Sequence, residues 1–123
     1  MRLIIILSAS MLLLSCATPS SVSVDLVAPA IQVIGPELTS YLTLDELMPQ
    51  DQKLIHQSAL MTVSAALTAG ETIDVRAYGP QLRDVAQTYQ AYVASDSKLD
   101  EFSKRTRSRT SELLLRLVAE AGG

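Results

Sequence analysis

Two reactive side chains occur once each in this 123-residue chain: the thiol of Cys16 and the imidazole of His56. One cysteine forms no internal disulfide, and one cysteine with one histidine cannot close a Cys/His zinc site. Asp51 lies five residues before His56. Helix neighbours are three and four apart, so that carboxylate is off the His56 face and makes no general-base pair with it. His56 could work only with Ser or carboxylates brought by the fold, and it is expected at a boundary or exposed. Asp45-Glu46 and Asp100-Glu101 are adjacent pairs. Adjacent helix positions diverge by about 100°, so neither pair is a shared proton-transfer or metal site. They suit early helical turns, where the dipole favours anions. No phosphate-loop, nucleophile-elbow or zinc-helix motif is present. The expectation is no catalytic residue, no metal and no cofactor other than a covalent lipid, introduced below.

The other chemical feature is cationic. Lys104, Arg105, Arg107 and Arg109 fall within six residues free of acid (KRTRSR). The whole chain has 10 basic and 13 acidic residues, a net charge of −3. Residues 16–95 hold three bases against eight acids, and residues 96–123 six against five. On a helix the four cations spread over a wide arc. They are expected to contact anionic headgroups or an acidic partner, at about 1 kcal/mol per cation on a charged surface. The alternative is a solvated face with intrahelical pairs, Asp100 to Lys104 and Glu101 to Arg105. On either reading, replacing Arg105, Arg107 and Arg109 together is expected to leave the melting temperature nearly unchanged. A net-negative body with one Phe, no Trp and four Tyr argues against nucleic acid, which needs cations and stacking faces.

The first sixteen residues differ from the rest. Met1-Arg2 is followed by a nearly continuous apolar run, Leu3 to Leu14. Twelve helical residues reach about 18 Å, short of the roughly 30 Å hydrocarbon core. A charged start, a short apolar middle and a small residue near the end read as a secretory signal. The ending Leu13-Leu14-Ser15-Cys16 resembles the lipobox of bacterial lipoproteins. That resemblance implies cleavage between Ser15 and Cys16, diacylglycerol on the Cys16 sulfur, and acylation of the new amine in many species. It covers about sixteen residues. Two or three acyl chains hold a protein stably where one does not. Ala17 rather than Asp follows the cysteine, which resembles the outer-membrane pattern. The expected organisation is a signal peptide over 1–15, a lipidated cysteine and tether over 16–34, and a helical domain over 35–123.

In the tether, Val22, Val24 and Leu26 alternate with Ser21, Ser23 and Asp25. Period-two alternation is a strand signal. A lone strand would pair with another protein's sheet edge; the favoured reading is an extended linker lying on the domain. Pro36 suits a first helical turn, with Leu38, Tyr41, Leu42 and Leu47 on one face. Gln50 to Ala69 is the next helix, with Leu54, Ile55, Ser58, Met61, Thr62, Ala65 and Ala66 as its stripe. Its uncharged second half predicts the most buried helix, with Ala65 and Ala66 at close contacts. Residues 71–78 read as a strand or a helical turn before Gly79-Pro80. Leu82, Val85, Ala86, Tyr89 and Val93 form a third stripe. Asp96 or Ser97 is expected to cap a last helix that faces inward with Leu99, Phe102, Thr106, Leu113, Leu117 and Ala121.

An internal echo joins Gly35-Pro36-Glu37-Leu38 to Gly79-Pro80-Gln81-Leu82 and Asp51-Gln52-Lys53-Leu54 to Asp96-Ser97-Lys98-Leu99, 44 and 45 residues apart. Two helical hairpins would follow, although Gly-Pro and Asp-x-Lys recur wherever helices start. The predicted fold is all-α, a small four-helix bundle. Its size and layout resemble the small helical lipoproteins that pilot secretion-channel subunits to the outer membrane, without any of their motifs and without the Cys pair some carry. The expected function is an outer-membrane-anchored periplasmic lipoprotein that binds or positions an envelope protein. A phage- or plasmid-encoded envelope lipoprotein for lysis or exclusion is the alternative, and a lipid-anchored enzyme the third reading. Oligomeric state is left open. Cys16→Ala should abolish lipid attachment and release the protein from membranes or leave it uncleaved; mass spectrometry finding an unmodified Cys16 on the native chain would refute the assignment.

Overall fold

The computed structural model describes residues 21–122. The signal peptide over 1–15, the cut between Ser15 and Cys16 and the lipid on Cys16 lie outside the described residues. The elements run β1 (Ser21–Ser23), α1 (Val24–Leu44), α2 (Gln50–Ala69), β2 (Thr72–Asp74), α3 (Val75–Ser95) and α4 (Glu101–Glu120). Four helices pack as a small bundle, as predicted, and the two strands add a short antiparallel ribbon with Val22 opposite Ile73.

α1 begins eleven residues before the predicted start, so residues 21–34 belong to the fold and not to a tether. Pro29 and Pro36 both lie inside α1. An interior proline removes a hydrogen bond and costs about 3 kcal/mol, which is why Pro36 suggested a beginning. The apolar stripe offsets that cost: Val27, Ala30, Ile31, Ile34, Leu38 and Leu42 are all buried, at roughly 1.5–3 kcal/mol for each large side chain. Ser23 caps α1 by accepting from the Asp25 amide. Likewise α3 starts before Gly79-Pro80, capped by Asp74 on the Arg76 amide, with Pro80 inside it. The segment over 71–78 is therefore strand and then helix, and the strand at 21–23 finds its partner within the chain.

The stripe predicted for α3 is buried in full, from Leu82 to Val93. Those predicted for α2 and α4 are mostly out of phase, although Ala66 and Leu99 pack against the core and Ala121 is buried. α2 turns Ala59, Leu60 and Val63 inward, while Leu54, Ile55 and Met61 are 54%, 62% and 71% exposed. It is not the most buried helix, and Ala65 is exposed. With no charge to mark the outer face, periodicity could not fix the phase. α4 buries Ser111, Leu114 and Val118, and Phe102 and Leu113 face solvent. Its cap is Asp100, which accepts from the Ser103 amide, rather than Asp96 or Ser97. Leu47 sits exposed in the α1–α2 loop.

The chain repeats a strand–helix–helix unit at an offset of 51, where the sequence echo suggested 44 or 45. The two units have strands of 3 and 3 residues, first helices of 21 and 21, and second helices of 20 and 20. Val24/Val75, Pro29/Pro80, Tyr41/Tyr92, Asp45/Asp96 and Lys53/Lys104 are identical across the offset. The units are related by an internal pseudo-twofold that passes between Val22 and Ile73. It passes again between Tyr41 and Tyr92, whose rings stack with centroids 5.1 Å apart and planes 4° apart. The strand ribbon thus marks one end of the bundle, and the α1–α2 and α3–α4 loops mark the other.

The second end is tied by exchanged hydrogen bonds. Tyr41 Oη donates to Asp96 Oδ2 at 2.7 Å, and Tyr92 Oη donates to Asp45 Oδ2 at 2.8 Å. The other carboxylate oxygens accept loop amides: Asp45 Oδ1 from Leu47 and Met48, Asp96 Oδ1 from Lys98. The Tyr92 hydroxyl, then the Leu47 amide, holds the Asp45 carboxyl below its ordinary value. The Tyr41 hydroxyl, then the Lys98 amide, does the same for Asp96. Burial, then the carboxylate partner, pushes both tyrosines up to about 12.

A carboxyl lowered by folding contributes stability above its unfolded value near 4, and that stability is lost as pH falls through the folded value. A phenol raised by folding contributes below about 10 and loses that contribution as pH rises toward its folded value. Thermal stability should therefore hold across neutral pH and fall at both extremes. Asp45→Asn with Asp96→Asn should flatten the acid limb in circular-dichroism melts; an unchanged limb would show that these carboxylates do not set it.

Candidate functional site

The fold divides the predicted cationic run by helix face. Arg107 points inward, half-buried, and pairs with Glu37 of α1. Glu37 also accepts from the Tyr89 hydroxyl, so one carboxylate joins α1, α3 and α4. Burial first, and then this carboxylate, raise the Tyr89 phenol well above its ordinary range. Lys104 is half-buried, and its Nζ donates to the Ala94 carbonyl at 3.1 Å across the α3–α4 turn. Arg105 and Arg109 are exposed, one helical turn apart. They line an open depression of about 570 Å³ with Lys104, Ser108, Glu101 and Glu112. The expected pairs Asp100–Lys104 and Glu101–Arg105 do not form: Asp100 caps α4, and Arg105 Nε reaches the Glu101 carbonyl instead. Arg116 extends the exposed basic line along α4. The surface that remains for an anionic contact is thus Arg105, Arg109 and Arg116, with Lys104 partly committed and Arg107 structural.

His56 has acquired a partner that no local spacing announced. Its Nδ1 lies 2.8 Å from Asp84 Oδ2 and 3.1 Å from Asp84 Oδ1, with Thr88 Oγ1 at 3.3 Å from the same nitrogen. A Ser-His-Asp arrangement needs the carboxylate on one ring nitrogen and the nucleophile on the other. Here all the ring's hydrogen bonds among the described residues converge on Nδ1. The repeat gives the contact an equivalent: His56 is the counterpart of Arg107, and Thr88 the counterpart of Glu37. Each second helix sends one nitrogen-bearing side chain to the first helix of the other unit. Only the position of the acid differs, one turn earlier at Asp84. Among the described residues no group of three His, Cys, Asp or Glu side chains could hold a metal ion. No described helix is long and apolar enough to cross a membrane.

Two further grooves flank α2. One, about 570 Å³, runs between α2 and α3 and is lined by Leu54, Ile55, Ser58, Thr62, Gln81 and Asp84 among others. The second, about 610 Å³, lies between α1 and α2 beside Gly35, Pro36, Leu60 and Ser64. Sequence reasoning assigned Leu54, Ile55 and Met61 to the core and so missed that they form a surface. The signal available was the absence of any charge from Leu54 to Gly70, which reads equally as burial or as a contact face.

No protein-family model, no curated protein and no solved structure matches the chain.

The split of the cations makes a test. Arg107→Gln should cost about 1–2 kcal/mol, the low end for a charged hydrogen bond because both partners are a third exposed. Arg105→Gln and Arg109→Gln should each stay within about 0.5 kcal/mol. Urea melts check this; equal losses at the three positions would contradict the assignment. With Arg107 paired to Glu37, a triple replacement is expected to lose stability through Arg107 alone.

Proposed function

We propose that this chain is a lipoprotein, anchored by acyl chains on Cys16 to the periplasmic face of the outer membrane, that binds or positions another envelope protein and catalyses nothing itself. The observation that carries the reading is the Leu13-Leu14-Ser15-Cys16 ending on the chain's only cysteine after a short apolar run. The architecture supports it. Ser21 already pairs with β2, and five Cα-to-Cα steps lead from Cys16 to it, a span of about 18 Å at most. A covalent span of that length keeps the ribbon end of the bundle near the anchor. First helices of 21 residues carry the loop end about 31 Å away.

α4 starts at that far end, so Arg105 and Arg109 stand away from Ser21. Their position favours an acidic face on a partner protein over lipid headgroups as their contact. A partner interface at such a site depends on salt, because the Debye length shrinks from about 10 Å at 0.1 M to about 3 Å at 1 M. Crosslinking in native membranes followed by affinity purification tests this. The wild-type chain should retain one envelope protein, and Arg105→Gln with Arg109→Gln should retain much less of it at low salt. A wild-type chain that retains none, or a double variant that binds as before, would reject the reading or the role of these arginines respectively.

A further inference from the structure

The structural repeat supplies an internal comparison for every exposed residue, and one face stands out in it. On the outward side of α2, directly opposite Leu60 and Val63, stand Leu54, Ser58, Met61 and Ala65, all exposed. Their counterparts 51 residues later on α4 are Arg105, Arg109, Glu112 and Arg116. The same scaffold position takes four charges in one unit and none in the other. The fold therefore does not require these positions to be uncharged, and an exposed apolar stripe of this kind marks a contact.

The stripe has the form of a helix-pairing seam. Leu54, Ser58, Met61 and Ala65 are spaced four, three and four, the spacing by which two helices interdigitate along a common line. Large and small residues alternate along it. Laid antiparallel against itself, the seam sets Leu54 over the partner's Ala65 and Met61 over the partner's Ser58, so each large side chain meets a small one. Laid parallel, it would set each large residue against its own copy. Antiparallel pairing also places Asp51 beside the partner's Thr68, whereas parallel pairing would bring two Asp51 carboxylates together. The described residues carry nine bases and thirteen acids, so two copies repel through most faces. From Leu54 to Gly70 there is no Asp, Glu, Lys or Arg, and two copies meet here without like charges opposed.

We infer that the chain forms a twofold-symmetric dimer through α2, in which the Leu54–Ser58–Met61–Ala65 seam packs antiparallel on the same seam of a second copy. The contact is isologous and closes on itself, as such dimers do. It does not depend on the anchor or on the envelope partner, and it leaves Arg105 and Arg109 outside the contact.

The register permits a specific test on the purified full chain, read as molar mass by light scattering across a concentration series. The wild-type chain should run at the mass of two chains. Leu54→Glu should raise the dissociation constant at least about tenfold and shift the mass toward one chain. Adding Ala65→Lys to Leu54→Glu should restore the dimer, because each new carboxylate then faces a new ammonium of the other copy; within one chain the two lie three turns apart. Circular dichroism should find each variant as helical as the wild type, since both positions are exposed. If Leu54→Glu loses helix, Met61→Glu, opposite the partner's Ser58, reads the same loss. A monomeric wild type would overturn the inference and leave the seam to a different protein or to lipid. A double variant that stays monomeric would overturn the antiparallel register.

Discussion

The stacked pair Tyr41–Tyr92 is the contact around which the bundle is organised. Each ring packs on its counterpart, and each hydroxyl crosses to the aspartate that closes the other unit's first helix. Those aspartates also hold the following loops through backbone amides. One cluster therefore fixes where both first helices end, how both second helices depart and how the two units face each other. Tyr89 adds a tilted ring 6.4 Å from Tyr41 and leads by way of Glu37 to Arg107 on α4. The strand ribbon clamps the opposite end with far less buried surface. With only one large residue from each strand in the core, Val22 and Ile73, it sets alignment more than stability.

The second helices, by contrast, are held on one side only. α2 buries three residues and α4 three, against six in α1 and seven in α3. First helices form the centre and second helices the flanks, where the two units differ most. α4 presents a basic surface and α2 an uncharged one, while the side chains that bridge the units, His56 and Arg107, hold equivalent positions with different types. A single acid sits on the Arg107 side at Glu37, and the equivalent duty on the His56 side falls to Asp84.

The sequence made some of this legible. The bounds of α2 and the whole α3 stripe could be read directly, because Leu82 to Val93 alternate cleanly with polar residues. The start of α1 could not, because proline is a poor helix residue on local grounds and Val22-Ser23-Val24 alternates like a strand. Ile31, Ile34 and Leu38 carried the helical period through Pro36, and tertiary burial overrode the local cost. The phases of α2 and α4 failed for opposite reasons: α2 had no charge to mark its outside, and the middle of α4 had no hydrophobe to mark its inside. The sequence echo falls six to seven residues short of the structural repeat, since the matching Gly-Pro tetrapeptides lie at different depths in their helices. Partners such as Asp84 for His56 and Asp96 for Tyr41 are 28 and 55 residues away, beyond the reach of any local pattern.

Between the two units the connection is only Gly70 and Glu71, the latter accepting a hydrogen bond from the Val24 amide. Cut there, the units would be two separate chains obliged to find each other in solution. Joined by two residues, their encounter is intramolecular, at an effective concentration in the millimolar range or above. Each unit then needs little affinity of its own for the other. The two units then need not match residue for residue, and the scaffold carries five identities across the offset and two dissimilar outer faces.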